Sequence, residues 1–113
     1  MIIVNLKKER ADIYIGRSNN SHLHYGNPFA VGPHGTQKEV VDKYELWLRG
    51  CAYTDLEQKR RHWILGTLHI LNGKKLGLYG DPQTSHGIVL IKLAQERNYE
   101  YPVSLSFGET QWK

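Results

Sequence analysis

The sequence predicts an α/β fold: a single small domain with a mixed sheet of about four strands and three helices, in the order β-β-α-α-β-α-β. Three observations lead there. Short β-branched and aromatic runs open the chain and recur near its end. Thr-x-x-Glu pairs or a Ser stand just ahead of segments with apolar residues at helical spacing. Glycines follow two of those segments, where a left-handed residue ends a helix.

Each element has its own signal. "IIVNL" (residues 2–6) and "DIYIG" (12–16) are strands separated by the charged turn "KKER", and they read as a hairpin or as two neighbouring strands. "TQKEVVDKYELWLRG" begins on a capping box, Thr36 with Glu39. Its Val40, Tyr44, Trp47 and Leu48 share one helical face, and Gly50 suits the exit. "TDLEQKRRHWILGTLHILNG" repeats the device with Thr54 and Glu57, then Trp63, Ile64, Leu68 and Leu71, with Gly73 as the stop. Gly66 weakens that helix. "KLGLYG" (75–80) is a strand and "DPQT" a turn. "SHGIVLIKLAQERN" takes Ser85 as N-cap ahead of Val89, Leu90, Leu93 and Ala94. "YPVSLSF" (101–107) alternates as a last strand, with Pro102 placing it at an edge.

Composition narrows the function classes. The 113 residues fit one domain, 1–113, large enough to bury a core. One cysteine, Cys51, allows no internal disulfide and suits a reducing compartment. "MIIVNLKKER" is too short in apolar residues for a secretory leader, and no run approaches a membrane span, so a cytoplasmic protein without membrane contact is expected. The net charge of +4 and pI of about 9.2 favour an anionic partner. The basic clusters "KKER" (7–10) and "QKRRH" (58–62) read as solvated faces, which makes nucleic acid a less favoured partner than a small anion.

The long polar loop "SNNSHLHYGNPF" (18–29) and the strand ends suggest a site. If strands 12–16 and 75–79 are parallel across the helical crossover, their C-terminal ends share an edge. Open α/β sheets take ligands there. Arg17 would fork onto phosphate or carboxylate. Ser85, His86 and Gly87 open the last helix, whose first amides carry the positive dipole end. Alternatives stand beside each assignment. Ser85 caps the helix whatever the function, Gly87 admits phosphate or eases packing, Arg17 binds or makes a surface ion pair, and Asn27 contacts ligand or forms a turn. The loop is expected to cover the ligand, with Asn20, His24 and Tyr25 in contact and Tyr25 or a histidine stacked on a base. Asn27, Pro28 and Phe29 would anchor its far end. His86 and Asp81 are the catalytic candidates, with a neutral hydrogen-bond donor or a solvent-facing residue as the favoured alternatives for His86. His22, His24 and His34 have no cysteine or carboxylate at a zinc spacing, so neither a metal nor another cofactor is expected.

Together, "VNLKKERADIYIGRS", "YGNPF", "HGTQKEVVDKYELWL" and "GKKLGLYGDPQTSHGIVL" resemble, in order and spacing, the domain of unknown function 4326 family over about residues 3–95. The family pattern matches Tyr14, Gly16, Arg17, Gly26, Asn27, Pro28, Phe29, Gly35, Thr36, Tyr44, Leu76, Pro82, His86, Gly87 and Leu90. It carries three cysteines where this chain has Leu78, Gly80 and Ser85, and a tryptophan where it has Tyr79. Thiol chemistry at those positions is therefore closed to this chain. The resemblance implies a bacterial or phage setting and no named reaction.

The expectation is a homo-oligomeric binding module for a nucleotide or related phosphorylated molecule, with sequestration of a host signal as a phage use. Two alternatives stay open. One is a small nucleotide- or nucleoside-acting hydrolase using His86 or Asp81. The other is a protein- or nucleic-acid-binding inhibitor using "EQKRRHW" and the tail "GETQWK".

Overall fold

A computed structural model describes residues 1–100, with side chains as far as residue 97. Three strands form the sheet: β1 (Ile2–Asn5), β2 (Ile13–Tyr14) and β3 (Lys75–Leu78). Their order is β1-β3-β2, and both outer strands run parallel to β3. The described sheet is therefore wholly parallel rather than mixed. The strand expected at 101–107 and the tail lie outside the described residues.

β1 and β2 are not a hairpin. Ile3 and Ile13 both lie opposite Leu76, on either side of the central strand. The connection must therefore double back across one face of β3. Gly77 makes room for it: a Cβ there would lie 2.5 Å from the Cβ of Ala11 and 2.6 Å from Cδ2 of Leu6. Asn5 starts the turn, its side chain accepting from the Lys7 N–H at 2.9 Å and its carbonyl from Lys8 and Glu9. Asp12 closes it by exchanging bonds with Lys75: its N–H donates to the Lys75 carbonyl and its carboxylate accepts the Lys75 N–H, both at 2.8 Å.

The other face carries the helices. α1 (Gln37–Arg49) has the capping box expected of it, Thr36 with Glu39, and ends at Gly50 with φ 75°. α2 (Gln58–Thr67) starts later than the second Thr-x-x-Glu pair suggested. Glu57, at φ 37°, is its N-cap and makes no side-chain cap bond, because its carboxylate is drawn to Arg60 instead. A 3-10 turn (Leu68–Leu71) continues α2, and Gly73, at φ 74°, turns the chain into β3. α3 (Gly87–Glu100) follows a second short 3-10 turn (Pro82–Thr84).

Trp47, Tyr44, Ile15, Leu48, Ile64, Leu76 and Leu90 are almost fully buried between helices and sheet. Each aliphatic among them contributes about 1.5–3 kcal/mol through burial. Gly87 sets how closely α3 meets the sheet: a Cβ there would lie 2.8 Å from the Cδ1 atoms of both Ile3 and Ile15. Among the described residues, no helix is long and apolar enough to cross a membrane.

Candidate functional site

Because β2 and β3 are parallel, their exits share one edge, and a cleft of about 650 Å³ opens there. The β2 exit supplies Tyr14, Gly16 and Arg17, and the β3 exit Tyr79, Gly80 and Asp81. Thr84, Ser85 and His86 close one end, and Phe29 to Val31 another. This is where open parallel sheets hold ligands.

Arg17 is exposed, yet part of its guanidinium is committed. Nε donates to the Asn27 carbonyl at 2.8 Å and Nη2 to the Phe29 carbonyl at 2.7 Å. Gly26 gives it a seat, since a Cβ there would lie 2.7 Å from the Arg17 Cα. Arg17 thus stands fixed on the wall of the cleft. Asn27 is buried, and both ends of its amide are used: Nδ2 donates to the Val40 carbonyl and Oδ1 accepts from the Phe29 N–H, each at 2.9 Å. It braces the loop from both ends of its amide. Phe29 plugs into the core against Tyr53, with ring centroids 4.7 Å apart.

The helix start differs from expectation. Ser85 Oγ donates to the Pro82 carbonyl at 3.0 Å and accepts the Gly87 N–H at 3.2 Å. The Ile88 and Val89 amides bond to the Ser85 and His86 carbonyls. The first turn of α3 therefore spends its donors internally, and Gly87 faces the sheet rather than the cleft. An anion cradle at Ser85, His86 and Gly87 is not formed.

His86 is half-buried, its ring edge-on to Tyr44 with centroids 5.0 Å apart. Nε2 lies 2.6 Å from the Ile15 carbonyl, which can only accept, so the proton sits on Nε2. Burial holds its pKa below 6.5, with the positive charges of Arg17 and Arg60 adding to the effect and the Ile15 bond opposing it. The ring is a neutral donor locked to backbone. Asp81 is exposed and caps the 3-10 turn, accepting from the Gln83 N–H at 3.0 Å. Among the described residues, no hydrogen bond joins His86 to Asp81, so the two catalytic candidates do not form a couple.

The match to known families covers this whole arrangement. The model described as Domain of unknown function (DUF4326) fits residues 4–96. The chain belongs to this family. No curated protein and no solved structure matches the chain. The DUF4326 segment runs from β1 into α3 and takes in every wall of the cleft.

Within the DUF4326 domain the site residues expected from sequence separate into three places. Arg17, Asn27, Ser85 and His86 line the cleft. Asn20 and His24 line a different cavity, of about 490 Å³, with Ser18, His22 and Lys59. Tyr25 and Gly87 are buried. Tyr25 packs on Trp63 with centroids 4.8 Å apart, bonds Thr67 through its hydroxyl at 2.7 Å, and accepts the Tyr44 hydroxyl on its carbonyl at 2.6 Å. It is a core residue and cannot stack on a base. Nδ1 of His24 accepts the Gly26 N–H and that of His34 accepts the Ala30 N–H. Among the described residues, no three of His, Cys, Asp and Glu gather as metal ligands.

Two features of the DUF4326 domain were not foreseen. Arg60, taken as part of a solvated cluster, is 3% exposed. Its Nη1 donates to the His24 and Gly26 carbonyls at 3.0 and 2.6 Å, its Nε to Glu57 at 2.9 Å, and its guanidinium lies 5.2 Å from the Trp47 ring centroid. Helical phase carried the signal, since Arg60 shares a face with Ile64 and Leu68. The second is an exposed aromatic pair at the cleft mouth, Tyr14 and Tyr79, with centroids 6.4 Å apart. Tyr79 follows the last residue of β3, a position that sequence alone assigns to a strand end and nothing more.

Proposed function

We propose that this DUF4326 domain binds a nucleotide or a related phosphorylated small molecule in the cleft where β2 and β3 end, and holds it without transforming it. The observation that carries this reading is Arg17, braced by two backbone carbonyls on the wall of an open cleft at the C-terminal edge of a parallel sheet. A charge held in place before binding loses little side-chain entropy when a phosphate arrives. The net charge of +4 favours the approach of anions. Retention rather than turnover is supported by His86 Nε2 and Asp81 Oδ1, each of which is bonded to backbone, with no hydrogen bond joining the two side chains among the described residues. In a phage-encoded protein, such retention would sequester a host nucleotide signal.

Titration calorimetry against mono-, di- and cyclic nucleotides tests the reading. A member of the panel should bind, and Arg17→Ala should weaken it by about 1.5–3 kcal/mol, the scale of a charge-assisted hydrogen bond. Circular dichroism confirms that the variant is folded. Chromatography of the ligand recovered after heat denaturation should return it intact. Breakdown products would favour the hydrolase reading, and failure of the whole panel to bind would remove the proposal.

A further inference from the structure

Two exposed tyrosines flank the cleft, Tyr14 at 45% and Tyr79 at 65% exposure. Tyrosine rings carry a large apolar face that is usually covered, so two of them open to solvent at the mouth of a polar cleft call for a partner. Tyr14 is already fixed. Its hydroxyl donates to the Arg17 carbonyl at 2.8 Å, and its ring folds over Gly16, where a Cβ would collide with it. One wall of a stacking site is therefore set in advance, which lowers the ordering cost of binding. Tyr79 stands between β3 and Gly80, which has φ 147°. No hydrogen bond holds its side chain among the described residues, so the ring is free to turn.

The spacing fits one flat ring. A ring sandwiched between two others needs about 7 Å between the outer pair, twice an optimal carbon–carbon contact of about 3.5 Å. The two centroids stand 6.4 Å apart with planes at 58°. A swing of Tyr79 that brings the planes parallel and widens the gap by about half an ångström would admit a heterocycle, a small motion for an exposed side chain.

We infer that Tyr14 and Tyr79 clamp the base of a mononucleotide whose phosphate lies toward Arg17. The inference rests on the reading above, that the cleft takes a ligand. Charge selects the mononucleotide over a polymer. Arg17 is the lone Lys or Arg lining the cleft among the described residues, and the Asp81 carboxylate stands on the same rim. Tracking a nucleic-acid backbone takes a run of cations. The volume of about 650 Å³ is in the range of small-molecule sites.

Calorimetry with AMP, adenosine and ribose 5-phosphate on the wild type, Tyr79→Ala and Tyr79→Phe separates the parts. Tyr79 is exposed, so neither variant should disturb folding. AMP should bind more tightly than ribose 5-phosphate. Tyr79→Ala should weaken AMP and adenosine by about 5- to 150-fold, the range of one base–aromatic stack, and leave ribose 5-phosphate unchanged, while Tyr79→Phe retains binding. AMP binding that depends on Tyr79, is no tighter than adenosine binding and is unchanged by Arg17→Ala would keep the clamp and remove the phosphate reading. Equal binding of AMP and ribose 5-phosphate, both insensitive to Tyr79, would overturn the clamp and leave the phosphate site standing. Failure of all three probes overturns the clamp. So does binding of a dT oligonucleotide with steep salt dependence and no binding of AMP.

Discussion

Replacing Arg60 with methionine isolates the contribution of one buried cation. Methionine keeps most of the apolar stem, so little packing against Trp47 is lost. It removes the bonds to the His24 and Gly26 carbonyls and to Glu57. A hydrogen bond from a charged donor contributes about 1.5–3 kcal/mol, and the two carbonyl bonds together set an upper figure of about 6 kcal/mol. Two discounts apply. Glu57 is 46% exposed and returns to water when its partner goes, so its pair counts for little. Bonds sharing one guanidinium are also not additive. A loss of about 3–4 kcal/mol remains, a large part of the roughly 5–15 kcal/mol of a whole domain. Urea unfolding followed by tryptophan fluorescence reads it directly, since Trp47 lies against the Arg60 guanidinium. Lys59→Ala, on the exposed side of the same cluster, is the control and should change stability by less than about 0.5 kcal/mol. A loss below about 1 kcal/mol for Arg60→Met would mean that Arg60 does not hold the loop.

Other outcomes follow from the same geometry. Gly77→Ala should cost about 1–3 kcal/mol by overpacking β3 against Ala11 and Leu6, read as a lower melting temperature. His86 and His24 both have folded pKa values below 6.5, so the unfolded chain takes up protons first. Stability should therefore be at its plateau above about pH 6.5 and decline as the pH falls from there. His86→Gln should flatten part of that decline in urea midpoints measured from pH 8 to 5, with His24 supplying the rest; an unchanged slope would exclude His86. In hydrogen exchange, a nucleotide should protect the segments 14–17 and 78–86 that line the cleft, while residues 18–23 keep their rate because they border the other cavity. Slowing at 18–23 alone would move the site to that second cavity.

What the sequence revealed followed local rules. The Thr36–Glu39 box, the glycine stops and the apolar faces of α1 and α3 are set by neighbours three or four residues away, and all are present in the fold. The shared edge of β2 and β3 was legible too, because a helical crossover makes strands parallel. The failures came from tertiary contacts. Arg60 is drawn inward by two carbonyls distant in sequence, overriding the polarity of "QKRRH". The Thr54–Glu57 pair matched a capping pattern, but Glu57 serves Arg60 instead. Tyr25 and Gly87 were assigned to a ligand because a loop and a helix start suggest openness, whereas both are covered by the core.

The position of β3 between two strands that precede it has a consequence for the order of assembly. β1 and β2 emerge early in synthesis and have no mutual bonds, so neither can form sheet until Lys75–Leu78 arrives. Every strand pairing in the described domain is thus non-local, and the closure entropy of the intervening chain must be met before the first rung forms. Until then the apolar side chains of β1 and β2 stay without their partner, shielded only by the nascent helices. A chain cut short before residue 75 should accordingly show helix without sheet, and the exit edges of β2 and β3 come into being together when β3 pairs.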